Sequence, residues 1–200
     1  NAREIKLSSD NTKAFVARSR HDDASIPTGL VILDLSTPDS PQVISRFDLQ
    51  DYPSLDLAVS PDDKYVYLAE GEVGLRIIDV SDPDNPTLIS TFDSPGRVGR
   101  VHISADGSKL FLLDSEWYTM PEAESGLRII DVSDPSQPLL LGNYDIDGPA
   151  LGLKLSPDES FAFIANGSNG IQVINVNDLS NPTLAGSFVT EGWACDVTVS

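Results

Sequence analysis

GLRIIDVSDPDNP, residues 74–86, has three further near-copies in the chain: GLVILDLSTPDSP at 29–41, GLRIIDVSDPSQP at 126–138 and GIQVINVNDLSNP at 170–182. In each copy a glycine opens an apolar run and a polar turn, usually carrying two prolines, closes it. Alternating β-branched residues read as a strand, and proline stops it by removing an amide donor and fixing φ. Four copies in 200 residues give units of about fifty residues, each too small to enclose a core by itself. The core must be shared between units.

Composition narrows the partners. Thirteen basic against 31 acidic residues leave a formal charge of −18, which repels phosphate backbones and anionic membrane surfaces. Nucleic acid and direct membrane insertion are excluded on this basis, and no apolar run approaches the length of a bilayer span. The same charge favours solubility and attracts cations such as calcium, or basic protein surfaces. Cys195 is the single cysteine, so no disulfide forms within the chain and no multi-cysteine zinc site exists. It is expected as a buried structural thiol.

Aligning the copies gives four strands per unit, A to D. In the second unit A is LDLAVS (55–60), B is YVYLA (65–69), C occupies 74–80 and D is TLISTFD (87–93). The A–B turn recurs as Ser60-Pro61-Asp62-Asp63, Ser104-Ala105-Asp106-Gly107 and Ser156-Pro157-Asp158-Glu159, with Ser8-Ser9-Asp10-Asn11 as its divergent first form. Aspartate in such a turn accepts hydrogen bonds from nearby amides, so these carboxylates are read as structural and not as metal ligands. The turn after strand C follows the same logic. In the fourth unit Leu179 replaces the first proline, and that turn is expected to be looser.

The A-strand serines fall at Ser8, Ser60, Ser104, Ser156 and Ser200, separated by 52, 44, 52 and 44 residues, a 96-residue double period. The extra length lies between B and C of the first and third units, in RSRHDDASIPT (18–28) and SEWYTMPEAES (115–125). REIKLS (3–8) is already an A strand, and DVTVS (196–200) reads as a fifth one without B, C or D behind it. The expected units are 3–49, 55–93, 99–147 and 151–190, with 195–200 as a surplus inner strand. The chain is thus expected to be a segment of a larger ring, or to be completed by a neighbouring chain.

Four-stranded antiparallel units of this length are the pattern of a β-propeller blade, an all-β fold. The G-L-x-I-I-D-V-S-D-P-x-x-P unit resembles the LVIVD repeat, through Leu75 to Asp79, Leu127 to Asp131 and Leu30 to Asp34; the fourth copy departs from it at 171–175 (IQVIN). That resemblance implies a propeller found mostly on bacterial and archaeal extracellular or cell-surface proteins, often beside adhesion or surface-layer modules, with no common reaction assigned.

In an up-and-down blade the A–B and C–D turns share one rim and the B–C and D–A connections share the other. The first rim holds short, similar turns. The second holds both inserts and the segments 50–55, 96–99, 148–151 and 191–194, so any binding is expected there. Glu4, Asp56, Arg100, Gly152 and Asp196 start the innermost strands at equivalent positions, with Lys6, Ala58, His102, Lys154 and Thr198 two residues on. Such a ring either binds a small polar ligand or ion, or lines a water-filled channel as charge pairs. Arg97 stands beside it in the third unit. Trp117, Tyr118 and Met120 in the second insert, and Trp193, are candidate anchors for a protein or glycan, or form a lid over the blade. His21 with Asp22 and Asp23 reads as solvated loop.

With only His21 and His102, no multi-histidine metal centre exists, and neither a nucleophile elbow nor a phosphate loop is present. Asp145-Ile146-Asp147-Gly148 is an incomplete calcium loop, and Asn166-Gly167-Ser168 fits the glycosylation acceptor pattern. No catalytic residue and no cofactor is assigned. The leading expectation is a non-catalytic extracellular propeller for protein interaction, adhesion or polymer assembly, its partners including copies of itself. The alternatives are a hydrolase or lactonase with a channel cation held by Glu4, Asp56 and Asp196, or a glycan-binding propeller.

Overall fold

The computed structural model describes residues 2–19, 27–49, 52–115 and 125–199. Its sixteen described strands form four sheets of four. The first contains β1 (Ala2–Leu7), β2 (Lys13–Arg18), β3 (Thr28–Asp34) and β4 (Gln42–Leu49). The second contains β5 (Asp56–Val59), β6 (Tyr65–Ala69), β7 (Leu75–Asp79) and β8 (Thr87–Phe92). β9 (Arg97–Ile103), β10 (Lys109–Ser115), β11 (Gly126–Asp131) and β12 (Leu139–Asp145) make the third. The fourth is β13 (Gly152–Leu155), β14 (Phe161–Ala165), β15 (Ile171–Asn175) and β16 (Thr183–Phe188). Each sheet is antiparallel with its strands in chain order, as expected of propeller blades.

Local chemistry sets the blade. Gly74 opens its strand at φ +93°, and a Cβ there would lie 2.3 Å from the Phe92 carbonyl oxygen, so the C strand starts where only glycine lets the D strand come close. Every C–D pair shifts register at the same place, between Ile32/Leu33, Ile77/Ile78, Ile129/Ile130 and Val173/Ile174. Such a bulge turns the extra D-strand residue, and Ile44 and Leu141 at this position pack against core.

Both faces of a blade are apolar, and three cores lie in the seams between successive blades. Phe15, Leu30 and Ile32 of the first blade meet Leu57, Leu68 and Ile78 of the second. Tyr67, Leu75 and Ile77 of the second meet Val101, Leu112 and Ile130 of the third. Phe111, Leu127 and Ile129 of the third meet Leu153, Ile164 and Ile174 of the fourth. Each fully buried side chain of this kind contributes about 1.5–3 kcal/mol, so the seams dominate stability. The four blades form an arc whose outer faces are less covered: Ile5 is 54% and Leu7 49% exposed, whereas Leu57, equivalent to Ile5, is fully buried. At the far end Phe163, Ile171 and Val173 are only partly buried, where Tyr67, Leu75 and Ile77 are inaccessible or nearly so.

The expected fifth A strand is only begun. Ala194 bridges to Gly167 as Val98 does to Gly71, 96 residues earlier, but residues 195–199 pair with no described strand. Cys195 is exposed, not buried, on a stretch that pairs with no described strand. The turn holding Leu179 is not looser than its counterparts: Asp178 accepts from the Ser180 amide at 3.1 Å and hydroxyl at 2.6 Å, much as Asp134 accepts from Ser136. The aspartate and not the proline holds the turn, and Leu179 packs against the seam core. Asn166 is fully buried with its amide on the Asp147 carbonyl at 3.0 Å, which contradicts its reading as a glycan acceptor.

Polar ties across the seams alternate with the same two-blade period. Asp63, held at φ +59°, accepts from the Ser9 amide (3.0 and 2.9 Å) and hydroxyl (2.6 Å) of the preceding blade. Glu159, at φ +57°, accepts from the Ala105 amide at 2.6 Å. The seam between the second and third blades cannot make this bond, since Pro61 has no amide hydrogen and Gly107 no side chain. There the two residues touch, a Cβ on Gly107 lying 2.9 Å from the proline ring, and a cleft of about 430 Å³ opens beside them. Asp63→Ala is therefore expected to lower stability by about 1 kcal/mol. Gly107→Asp alone should destabilise, and Pro61→Ala with Gly107→Asp should recover that loss, both read from denaturant midpoints in a double-mutant cycle.

Candidate functional site: the channel and its loop rim

The A strands lie side by side on the inside of the arc, and their starting ends stand on the rim of B–C and D–A connections, where Gly71 bridges to Val98 and Gly167 to Ala194. These strands surround an open cavity of about 370 Å³ lined by Glu4, Lys6, Asp56, Arg100, His102, Lys154 and Asp196, among others. The structure thus brings together the channel residues inferred from register. Arg97 stays outside it, packed over Gly71 with the Arg97 side chain 3.3 Å from where a Cβ would be, and Trp193 sits half-exposed against Gly167 on the rim. Trp117, Tyr118 and Met120, like His21, Asp22 and Asp23, lie outside the described residues.

The carboxylates of the cavity already have partners. Asp56 accepts from the Leu57 amide at 2.8 Å and, through its other oxygen, from the Val101 amide of the next blade at 3.0 Å. It is a seam tie. Burial pushes its carboxyl above the usual range, opposed by the Val101 amide and Arg100. Asp196 accepts from the Val197 amide at 2.9 Å, and Glu4 takes the Lys6 ammonium at 2.6 Å. Among the described residues no group of three His, Cys, Asp or Glu side chains is placed to hold a metal ion. The cations differ: Arg100 donates to its neighbour's Gly99 carbonyl at 3.0 Å, and Lys154 and His102 make no hydrogen bond or ion pair among the described residues. Burial first, then Lys154 and Lys6, hold the His102 pKa down to about 4.

Beneath the rim lies a second polar layer that sequence reading missed. Arg76 pairs with buried Glu70 at 2.5 Å. Arg128, 2% exposed, reaches Asp114 at 3.2 Å and Asp145 at 2.7 Å, while the Ser94 hydroxyl donates to Asp114. Burial raises the Asp114 carboxyl, opposed by Ser94 and Arg128. The fourth blade places Asn166 and Gln172 at these positions, with buried Oδ1 and Oε1 atoms lacking a partner. The signal was in the alternation: an arginine in the C strand shares a face with Ile78 or Ile130, which demands a buried counter-charge.

The LVIVD repeat family model matches residues 24–49, 54–94, 123–146 and 148–190, more than half of the chain. The chain belongs to the LVIVD repeat family. No curated protein matches the LVIVD chain. Among solved structures it is similar to a functionally unknown protein from Desulfotomaculum acetoxidans, at 20% identity over 100% of this chain with a TM-score of 0.77. It is also similar to a proposed 6-phosphogluconolactonase from Bacteroides uniformis, at 19% identity over 98% of this chain with a TM-score of 0.77. A protein from Lactobacillus plantarum matches at 17% identity over 95% of this chain with a TM-score of 0.78. The LVIVD chain spans 59%, 57% and 56% of these three proteins respectively, and at such identity the likeness is one of propeller fold.

His102 offers a direct check of the cavity's electrostatics. Its folded pKa of about 4 lies below the ordinary 6.5, so the unfolded chain binds more protons between those values. The histidine's contribution to stability is present above 6.5 and is lost as the pH falls towards 4. An NMR titration of the imidazole should give a midpoint well below the ordinary value, and His102→Gln should reduce the loss of stability on acidification. A midpoint near the ordinary value would mean a solvated ring.

Proposed function

We propose that the chain is a non-catalytic binding propeller, acting outside the cell or on its surface, whose partner is a protein held at the loop rim. The division of labour between the two rims carries this reading. On the A–B and C–D rim, short turns satisfy their own amides: the Asp10, Asp106 and Asp158 carboxyls, held down to about 2 by serine hydroxyls and turn amides, are fully engaged. On the opposite rim the connections vary in length and sequence and include half-exposed Tyr52 and Trp193. Rigid blades presenting variable loops with aromatic anchors suit protein recognition. The LVIVD repeat and the charge of −18 support an extracellular setting.

The hydrolase or lactonase reading draws on neighbours such as the proposed 6-phosphogluconolactonases from Bacteroides uniformis and Bacteroides fragilis. It needs a channel cation, for which Glu4, Asp56 and Asp196 are poorly disposed given their existing partners.

Labelled full-length protein, titrated onto whole cells of its source and read by flow cytometry, tests the proposal. Trp193→Ala is expected to weaken binding by about tenfold or more, the range of an interface anchor. Asp82→Asn on the opposite rim should change nothing. Binding that survives Trp193→Ala but not Asp82→Asn would move the site to the other rim, and chelator-sensitive lactone hydrolysis would replace the reading with an enzymatic one.

A further inference from the structure

The chain carries −18 overall, yet its channel collects four of the thirteen basic residues, Arg3, Lys6, Arg100 and Lys154, against three carboxylates. In so acidic a protein this local reversal calls for a cause. The pairing pattern sharpens it. All three carboxylates are engaged, Asp56 and Asp196 by backbone amides and Glu4 by Lys6, whereas Lys154 and Arg100 make no ion pair among the described residues. His102, half-buried between them in sequence register, has neither nitrogen bonded.

We propose that Lys154, Arg100 and His102 form a binding site for a small oxyanion, a phosphate or carboxylate group carried on a compact polar molecule. Arg100 and His102 lie two residues apart on β9, on the same side of the strand, roughly 7 Å along it. Lys154 on the adjacent β13 is the register equivalent of His102, and all three residues line the same cavity. Arginine offers a planar fork, lysine a point charge, and the neutral imidazole one donor and one acceptor, a set matched to oxyanion geometry. A cavity of about 370 Å³ has room for a group of monosaccharide size. A cation fits poorly here, because Lys154, Lys6 and Arg100 already place positive charge along the cavity. The site is separate from the rim aromatics and does not rest on the protein-binding proposal.

The His102 imidazole is its own reporter. Inorganic phosphate, gluconate, glucose 6-phosphate, neutral glucose and calcium are titrated separately into the full-length protein near neutral pH at low salt, with the ring followed by NMR. A saturable shift with phosphate-bearing or carboxylate probes, and none with glucose, is expected, and the probe that saturates first identifies the group recognised. Lys154→Gln and Arg100→Gln should each weaken that probe by about tenfold or more, Lys154→Arg should retain it, and Trp193→Ala should leave it unchanged. The wild-type titration decides without any variant: no saturation with any oxyanion, or saturation with calcium alone, overturns the proposal. So does binding unaltered in whichever glutamine variant folds.

Discussion

The rest of the structure depends on one constraint: a blade is apolar on both faces and has no interior of its own. Phe15 and Ile32 are dry only because Leu57 and Ile78 of the next blade cover them, and the same exchange repeats twice along the arc. This is why Ile5 and Leu7, which carry the same alternation as Leu57 and Val59, stand open to solvent at the start of the arc. Burial here is a property of neighbours and not of the strand's own sequence.

The repeated strands and turns were legible in the sequence. Strand order, turn positions and the inner placement of the A strands followed from alternation and spacing, because each blade solves the same packing problem with the same residue types. Readings based on a single residue fared less well. Cys195 looked like a buried thiol but stands exposed. Leu179 looked like a weakened turn, but Asp178 does the holding. Asn166 matched a three-residue acceptor pattern although its position, shared with Glu70 and Asp114, is a buried polar socket.

The channel was legible in register but not in chemistry. Counting along the strands put Glu4, Asp56, Arg100, His102, Lys154 and Asp196 around one space, where they are found. Counting could not say which of them had partners, since the amide that engages Asp56 belongs to Val101 of the next blade, 45 positions away. Once those bonds are known, the carboxylates are part of the frame, and Arg100, His102 and Lys154 are cavity groups without an ion pair among the described residues. The deeper ion pairs of Arg76 and Arg128 fix the strand ends on which those groups stand.

The alternation of Ser9 and Ala105 with Pro61 and Pro157, matched by acids at Asp63 and Glu159 and by Gly107 between them, gives the arc a parity. Removing or duplicating one blade would set a proline against an acid, or an amide against a glycine, at the altered junction. Gains and losses of two blades leave every junction matched. Growth by pairs of blades would therefore keep every tie of this kind intact, so turn compatibility joins the geometry of closure as a condition on how such an arc can extend.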